Sequence, residues 1–233
     1  MTPLPLVLLP GLLCDERLWA PQRDALSGVE TIVPRLDQDV TVGHMAEHVL
    51  DGAPQRFALA GLSMGGYVAL EIMRRAPERV ERLALLDTQA RADTDEARRR
   101  RRGLIALSEQ GTFRGVTPRL LPMLIHERRQ ADKDLTGLIM AMADSIGQAG
   151  FVRQQQAIMA RPDSRPDLGA IAVPTLVLAG KDDVLTPIEV QVEMAAAIPD
   201  ADLVLLGDCG HLSTLERPDA VTAQLRLWLA RPS

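Results

Sequence analysis

The chain has 233 residues, of which 46% are hydrophobic, and this is enough to fill a sizeable core in one globular domain that could carry an inserted lobe. Its formal net charge of -5 gives no electrostatic footprint for nucleic acid. Its uncharged runs are shorter than the roughly 18 apolar residues of a membrane helix, so we expect neither a nucleic-acid nor a membrane partner.

Six short apolar runs predict strands that are buried on both faces, because they are continuously apolar instead of alternating with polar residues. In chain order they are residues 4–9, 31–36, 57–62, 83–86, 175–179 and 203–206. Helical patterns between and after them cover residues 15–26, 42–51, 65–76, 187–197 and 218–230. This alternation predicts the α/β class, with a mostly parallel sheet of about six strands flanked by helices.

The alternation is interrupted once, between residues 90 and 173. Apolar periodicities recur there at residues 103–107, 120–125, 135–146 and 151–159. Because a structureless loop of this length is implausible inside a compact domain, we predict an insertion of about four helices. The sequence thus divides into a first core part (1–89), a helical cap or lid (90–173) and a second core part (174–233).

The stretch GLSMG places Ser63 between Gly61 and Gly65, after an apolar strand and before a helix that Pro77 ends. Glycines at these positions let the strand and the helix approach closely while the serine adopts a strained turn. A G-x-S-x-G pattern in this context predicts a nucleophile elbow, with the serine Oγ exposed at a helix N-terminus. The backbone N–H of Met64 would then face a developing oxyanion.

A serine hydroxyl needs a general base, and the base needs an acid that orients it. Of the four histidines, His211 alone follows a predicted strand in a glycine-flanked loop, so it is the candidate base. Asp182 and Asp183 follow the fifth predicted strand, and Asp87 ends the fourth. All three aspartates are therefore candidate acids.

At this point the chain resembles the α/β-hydrolase superfamily of serine hydrolases, over nearly its whole length. The elbow is one shared motif, and the resemblance of the G-x-x-D-x-x-T-P and G-H-x-x-x-x-E-x-P motifs favours Asp183 over Asp182 as the acid. The first of these two motifs matches Gly180, Asp183, Thr186 and Pro187, and the second matches Gly210, His211, Glu216 and Pro218. The loop LPGLLCDERLW corresponds to the family's oxyanion loop, which implies that Leu12 provides a second backbone N–H beside Met64.

The resemblance implies a Ser63–His211–Asp183 triad that cleaves small carboxylic esters through an acyl-enzyme, without a metal or an organic cofactor. Asp87 stays open as the alternative acid. Thioester hydrolysis, C–C bond hydrolysis, cofactor-free perhydrolysis and a non-catalytic small-molecule-binding role also stay open, because the fold does not decide the substrate. Methionine-rich, aliphatic residues in the insertion favour an enclosed pocket for short acyl groups.

Three further features, a pair of histidines, an arginine run and two cysteines, each allow a structural interpretation and a functional one. His44 and His48 in the H-x-x-E-H pattern favour an ordinary amphipathic helix over a zinc site. The arginine run at residues 98–102 favours a solvated face, and the sharper hypothesis is a docking patch for an acidic carrier protein. With two cysteines and an apolar N-terminus that lacks a basic leader, we expect free thiols at Cys14 and Cys209 and a cytoplasmic location.

Overall fold

A computed structural model describes residues 4–110, 113 and 115–231 of the chain. Its centre is a sheet of six strands in the order β2-β1-β3-β4-β5-β6, in which every neighbouring pair is parallel. The strands are β1 Leu6–Leu9, β2 Thr31–Ile32, β3 Phe57–Leu62, β4 Val80–Leu86, β5 Thr175–Gly180 and β6 Ala201–Leu206. The predicted α/β class and the six-stranded parallel sheet are confirmed.

Two strands at the sheet's edges differ from their prediction. The run at residues 31–36 forms only the two-residue β2, and Pro34, which has no N–H to donate, lies in the part that leaves the sheet. The expectation that every strand is buried on both faces is wrong for β6, where Leu203 is exposed. In the described part of the chain, β6 pairs only with β5, so it has a neighbouring strand on one side.

Helices pack on both sides of the sheet and largely follow the apolar periodicity. Thr41 and Thr94 accept backbone N–H bonds of 3.1 Å at the starts of the second and fourth helices, which is the usual role of a threonine N-cap. The predicted helix at residues 15–26 divides into a 3-10 turn, Glu16–Trp19, and a short α-helix that contains Pro21 near its start. The helices are α1 Ala20–Ala25, α2 Val42–Gly52, α3 Met64–Arg75, α4 Asp95–Glu109, α5 Leu121–Leu124, α6 Lys133–Ala160, α7 Ile188–Ala197, α8 Ser213–Glu216 and α9 Pro218–Leu229.

The segment between β4 and β5 contains α4, α5 and α6, together with 3-10 turns at Glu127–Arg129 and Arg165–Ala170. Gly147 has φ 67° and ψ 178°, which breaks α6 into two helical stretches. Apolar residues of this segment, such as Leu121, Ile125 and Ile139, belong to the same buried cluster as Leu6 and Leu8 of β1. The segment is thus helical and packs onto the core of the sheet.

By length and composition, α6 is the one helix in the described part of the chain that could cross a membrane. Of its most apolar stretch, 39% is buried inside the protein. The break at Gly147 leaves two stretches that are each shorter than the roughly 20 residues a membrane span needs. α6 packs against α4 and α2.

The strand order places the candidate site. β2 lies on one side of β1 and β3 lies on the other, so the direction of winding reverses between β1 and β3. Ligands of open α/β sheets bind outside the carboxyl ends of the strands at such a reversal. The loops that follow β1 and β3, which begin with Pro10 and Ser63, meet at this place.

Candidate active site

Ser63 occupies a strained turn between β3 and α3. Its φ of 55° and ψ of -114° lie outside the regions that a side chain usually allows, and its carbonyl oxygen accepts a hydrogen bond of 2.7 Å from Thr88 Oγ1. A Cβ on Gly61 would overlap the backbone of Gly65, and a Cβ on Gly65 would overlap the carbonyl of Leu9. The two glycines therefore permit the close approach that presents the serine side chain at the sheet's edge.

A continuous chain of hydrogen bonds joins three of the predicted site residues. The distance from Ser63 Oγ to His211 Nε2 is 2.8 Å, and that from His211 Nδ1 to Asp183 Oδ2 is also 2.8 Å. With Nδ1–H donated to the carboxylate, Nε2 is left as the acceptor for the serine hydroxyl. The structure thus brings together Ser63, His211 and Asp183, which are separated by up to 148 positions in the chain.

Asp183 is held in its ionised form by its surroundings. Its Oδ1 accepts N–H bonds from Leu185 (2.8 Å) and Thr186 (3.1 Å), and its Oδ2 accepts the Thr186 hydroxyl at 2.5 Å. Burial alone would raise the pKa of Asp183, but His211 and Thr186 outweigh it and bring the pKa below its usual range. The neighbouring Asp182 is exposed, and its Oδ2 lies 3.3 Å from the Cys209 nitrogen and 3.7 Å from His126 Nε2.

The pKa of His211 shifts in the opposite direction. Its imidazole is buried, and burial alone would lower the pKa. The charge of Asp183 and its hydrogen bond stabilise the protonated ring more strongly, so the pKa of His211 lies above its usual range. The pair can therefore take up and return a proton at the Ser63 hydroxyl.

Asp87, the alternative acid, lies at the end of β4 with a positive φ of 44°. Its Oδ1 accepts the Gly180 N–H at 2.9 Å, and its Oδ2 contacts the hydroxyl of Ser213. Burial and the nearby charge of Asp183 raise the pKa of Asp87 to about 8. Its carboxyl therefore connects the chain ends of β4 and β5 to Ser213, while the carboxylate that accepts the hydrogen bond of the His211 imidazole is that of Asp183.

The loop after β1 lies directly against the serine. A Cβ on Gly11 would stand 3.4 Å from Ser63 Cβ, which places the next residue, Leu12, close to the turn that carries Ser63. Leu13 follows with a positive φ of 58°, and its N–H is donated to Gln154 Oε1 at 3.0 Å. Met64 begins α3, so its N–H is one of the first four helical N–H groups, which have no acceptor within the helix.

Two supporting residues were not predicted from the sequence. Thr88 holds the Ser63 carbonyl, and the buried Gln154 of α6 joins the loop after β1 to the carbonyl of Leu36, which lies 3.2 Å from Gln154 Nε2. The position of Thr88 directly after a strand was a usable signal, because side chains at that edge surround the site. Gln154 had no local signal, since its partners are 118 and 141 positions away.

The remaining candidates lie in ordinary surroundings. His44 and His48 are on the exposed face of α2, where His48 Nδ1 is 2.7 Å from Asp39 Oδ2. Within residues 4–110, 113 and 115–231, no group of three or more histidine, cysteine, aspartate or glutamate side chains could hold a metal ion. Cys14 and Cys209 are buried free thiols, and burial raises the pKa of Cys14 to about 12.

The arginine run lies on α4. Arg101 is half-buried and pairs with Asp93 at 2.7 Å, and Arg98 pairs with Asp95 at 3.3 Å. Arg99, Arg100 and Arg102 are exposed on the same helix. The run is therefore partly structural and partly a solvated basic surface.

Comparison with known proteins points in one direction. A model described as the alpha/beta hydrolase family matches residues 6–224. The RutD protein of Agrobacterium fabrum, whose name gives it as a carbamate hydrolase, is 29% identical over 96% of this chain and 92% of its own length. A pimeloyl-[acyl-carrier protein] methyl ester esterase of Nitrosomonas europaea is 29% identical over 77% of this chain and 73% of its own. The structure of a thermophilic esterase from Thermogutta terrifontis superposes with a TM-score of 0.87 at 31% identity, covering 98% of this chain and 90% of that one.

Proposed function

Since the chain belongs to the alpha/beta hydrolase family and several of its relatives are named hydrolases or esterases, we propose that it cleaves small carboxylic esters through a Ser63–His211–Asp183 triad. One observation carries this proposal. The hydroxyl of Ser63, in its strained turn, is 2.8 Å from an imidazole that is itself 2.8 Å from a buried carboxylate. This is the arrangement that activates a serine for acyl transfer.

In the proposed reaction, Ser63 Oγ attacks the ester carbonyl while His211 Nε2 takes the hydroxyl proton. Asp183 keeps the Nδ1–H tautomer and stabilises the imidazolium. The N–H groups of Leu12 and Met64 stabilise the negative oxygen of the tetrahedral intermediate. His211 then protonates the leaving alcohol, and a water that gives its proton to His211 releases the acid from the acyl-enzyme. No metal or cofactor takes part.

Removal of the nucleophile tests the proposal. We expect Ser63→Ala to lower kcat for nitrophenyl acetate by about 10^4-fold or more, because the triad acts as a unit. The variant should also lose labelling by a fluorophosphonate probe. Ser27→Ala, at an exposed serine of the loop before β2, is the matched control and should behave as the wild type. Undiminished turnover in Ser63→Ala would contradict the assignment.

We further propose that residues 90–173 form a cap that encloses the acyl site. The segment leaves the sheet after β4, at the edge where Ser63 lies, and its buried side chains are mainly aliphatic, as at Leu121, Ile139 and Met142. Enclosed sites of roughly 300 to 1,000 Å³ suit small ligands. We therefore expect kcat/KM to be higher for acetate or butyrate esters than for palmitate, without activation at an oil–water interface. A steady rise toward long chains would indicate an open acyl channel instead.

A second candidate is an ester whose acyl group is attached to an acidic carrier protein. The exposed Arg99, Arg100 and Arg102 on α4 favour it, and one relative is named as an esterase of such a substrate. The test compares hydrolysis of one methyl ester, free and carrier-bound, by the wild type and by the double variant Arg99→Glu/Arg100→Glu. A loss confined to the carrier-bound ester supports docking on α4. Arg226→Glu, a single charge reversal at an exposed arginine of α9, is the control for a change of surface charge away from α4.

A further inference from the structure

The loop that carries His211 is attached to the segment between β4 and β5 as well as to the sheet. The carbonyl oxygen of Leu124, the last residue of α5, accepts the N–H groups of both His211 and Leu212 at 3.1 Å. A Cβ on Gly210 would lie 2.8 Å from the backbone nitrogen of His126, so glycine lets the two chains meet. The backbone at residues 124–126 therefore packs directly on the proposed catalytic histidine's loop.

A single carboxylate spans the same contact. Glu216 is 1% exposed, and its Oε1 accepts the Gly210 N–H at 2.9 Å while its Oε2 accepts the His126 N–H at 2.6 Å. The Glu216 carbonyl also accepts a bond of 2.5 Å from Arg129. The two carboxylate oxygens thus bind backbone groups on opposite sides of the contact, which are 84 positions apart in the chain (210 − 126).

The surroundings make this carboxylate costly to replace. Burial raises the pKa of Glu216, and the N–H donors of His126, Gly210 and Leu212 oppose that shift. A buried donor that loses its acceptor bears the full penalty of desolvation. An amide of the same shape would turn its NH2 group toward one of the two N–H donors, so the clamp depends on having two acceptor oxygens.

We propose that Glu216 is a positioning residue that clamps Gly210 of the histidine loop to His126 of the insertion, and so holds His211 at hydrogen-bonding distance from Ser63. The inference rests on the proposed function, because the position of His211 matters for turnover only if it is the base. It also gives the insertion a role besides covering the site. Residues 124–126 stay with the histidine loop during turnover, and any opening of the cap occurs elsewhere.

The N–H group of His126 can be removed with little disturbance of the backbone. His126 has φ -58° and ψ 147°, and Ile125 before it has φ -136° and ψ 152°, so both positions are compatible with proline at residue 126. We expect His126→Pro to lower kcat by about 10- to 100-fold, the scale of a misplaced catalytic group, with KM within a few-fold of the wild type. His126→Ala keeps the backbone N–H of residue 126, so its kcat should fall far less.

Glu127→Pro is the matched control. Glu127 begins a 3-10 turn, where proline is tolerated, and its N–H has no acceptor in the described part of the chain. It should retain the wild-type kcat. If kcat falls equally in Glu127→Pro and His126→Pro, the loss comes from introducing proline into this loop and not from removing the His126 N–H. The proposed clamp would then be wrong.

Glu216→Gln tests the other side of the contact. We expect the same loss of kcat with little change in KM, and the double variant with His126→Pro should be no slower than the slower single variant, because both remove one interaction. Folded single variants with wild-type kcat, or losses that multiply in the double variant, would overturn the proposal. A purely structural role would lower the melting temperature and leave kcat intact below it.

Amide hydrogen exchange separates this inference from the proposed function. In the wild type, the amides of Gly210, His211 and His126 should be protected together, and Glu216→Gln should release them together even if the protein hydrolyses no ester. If the wild-type amides exchange at the rate of free loop amides, the clamp is overturned. This test uses the wild type, so it holds even if His126→Pro fails to fold. Wild-type turnover without coupled exchange would leave the triad standing and the clamp rejected.

Discussion

The ends of β4 and β5 present the same chemical group in two different environments. Each neighbouring strand is followed by a buried aspartate, Asp87 after β4 and Asp183 after β5. Asp183 accepts bonds from Leu185, Thr186 and His211, and its pKa is lowered. Asp87 is fully buried beside it, and its pKa is raised to about 8.

The comparison shows that two aspartates at the same edge of the sheet can have different roles because their hydrogen-bond partners differ. A buried carboxylate is ionised only where hydrogen-bond donors and an opposite charge offset the free energy lost on desolvation. Asp183 has these partners, so it can orient and stabilise a protonated His211. Asp87 keeps a proton near neutral pH and is suited to holding loops together. The following predictions test this contrast.

The largest expected effect is that of Asp183→Asn. An amide at this position favours the wrong tautomer of His211, and we expect kcat to fall by about 10^4-fold. Asp182→Asn is the matched control, because Asp182 is adjacent and exposed, and its carboxylate contacts Cys209 and His126 while His211 Nδ1 contacts Asp183. Steady-state kinetics on nitrophenyl acetate provide the measurement. A strong loss in Asp87→Asn with none in Asp183→Asn would reverse the assignment of the acid.

The pH profile sharpens the contrast. His211 acts as a base only when neutral, and its pKa is raised, so kcat/KM should fall on the acid side with a midpoint above the usual range of histidine. The residual activity of Asp183→Asn should have its midpoint at lower pH, because the neighbouring negative charge is gone. In Asp87→Asn the midpoint should move less, since Asp87 is already protonated below about 8.

The smallest effect on turnover is expected for Asp87→Asn. The amide oxygen can still accept the Gly180 N–H and the amide nitrogen can still bond Ser213, so kcat should stay within about tenfold of the wild type. The substitution should also change how the free energy of unfolding depends on pH. The folded-state pKa of Asp87 lies above the unfolded value, so its contribution is full at low pH and is lost as pH rises to about 8. Urea unfolding at pH 5 and pH 8 should show a smaller decline in the variant than in the wild type.

Much of the fold could be predicted from local sequence. Continuously apolar runs bounded by turn residues located all six strands, because parallel strands covered on both faces leave no polar positions in their middle. The edges were less predictable. β2 ends before Pro34 and β6 is partly exposed, since the number of neighbours that a strand has is a property of the sheet and not of its residues.

The candidate site divides in the same way. Ser63 was identifiable because the glycines around it are a local requirement of the strained turn, and His211 because its loop follows a strand. Family resemblance favoured Asp183 over Asp182 and left Asp87 open, since Asp87 and Asp183 both follow strands at one edge and no local pattern states which carboxylate contacts the imidazole. That contact joins residues 28 positions apart and is visible only in three dimensions.

By itself, then, the sequence determined the class of fold, the order of strands and helices along the chain, and the residue types available for acyl-transfer chemistry, because periodicity and turn chemistry act over a few neighbouring residues. The tertiary structure alone decided which partners each titratable group has. The pKa values of Asp87, Asp183 and His211, and the Glu216 contact with His126, come from burial and from hydrogen bonds between distant segments. Such contacts leave no local pattern in the sequence, because a polar group requires a hydrogen-bond partner from a distant segment only once folding has buried it.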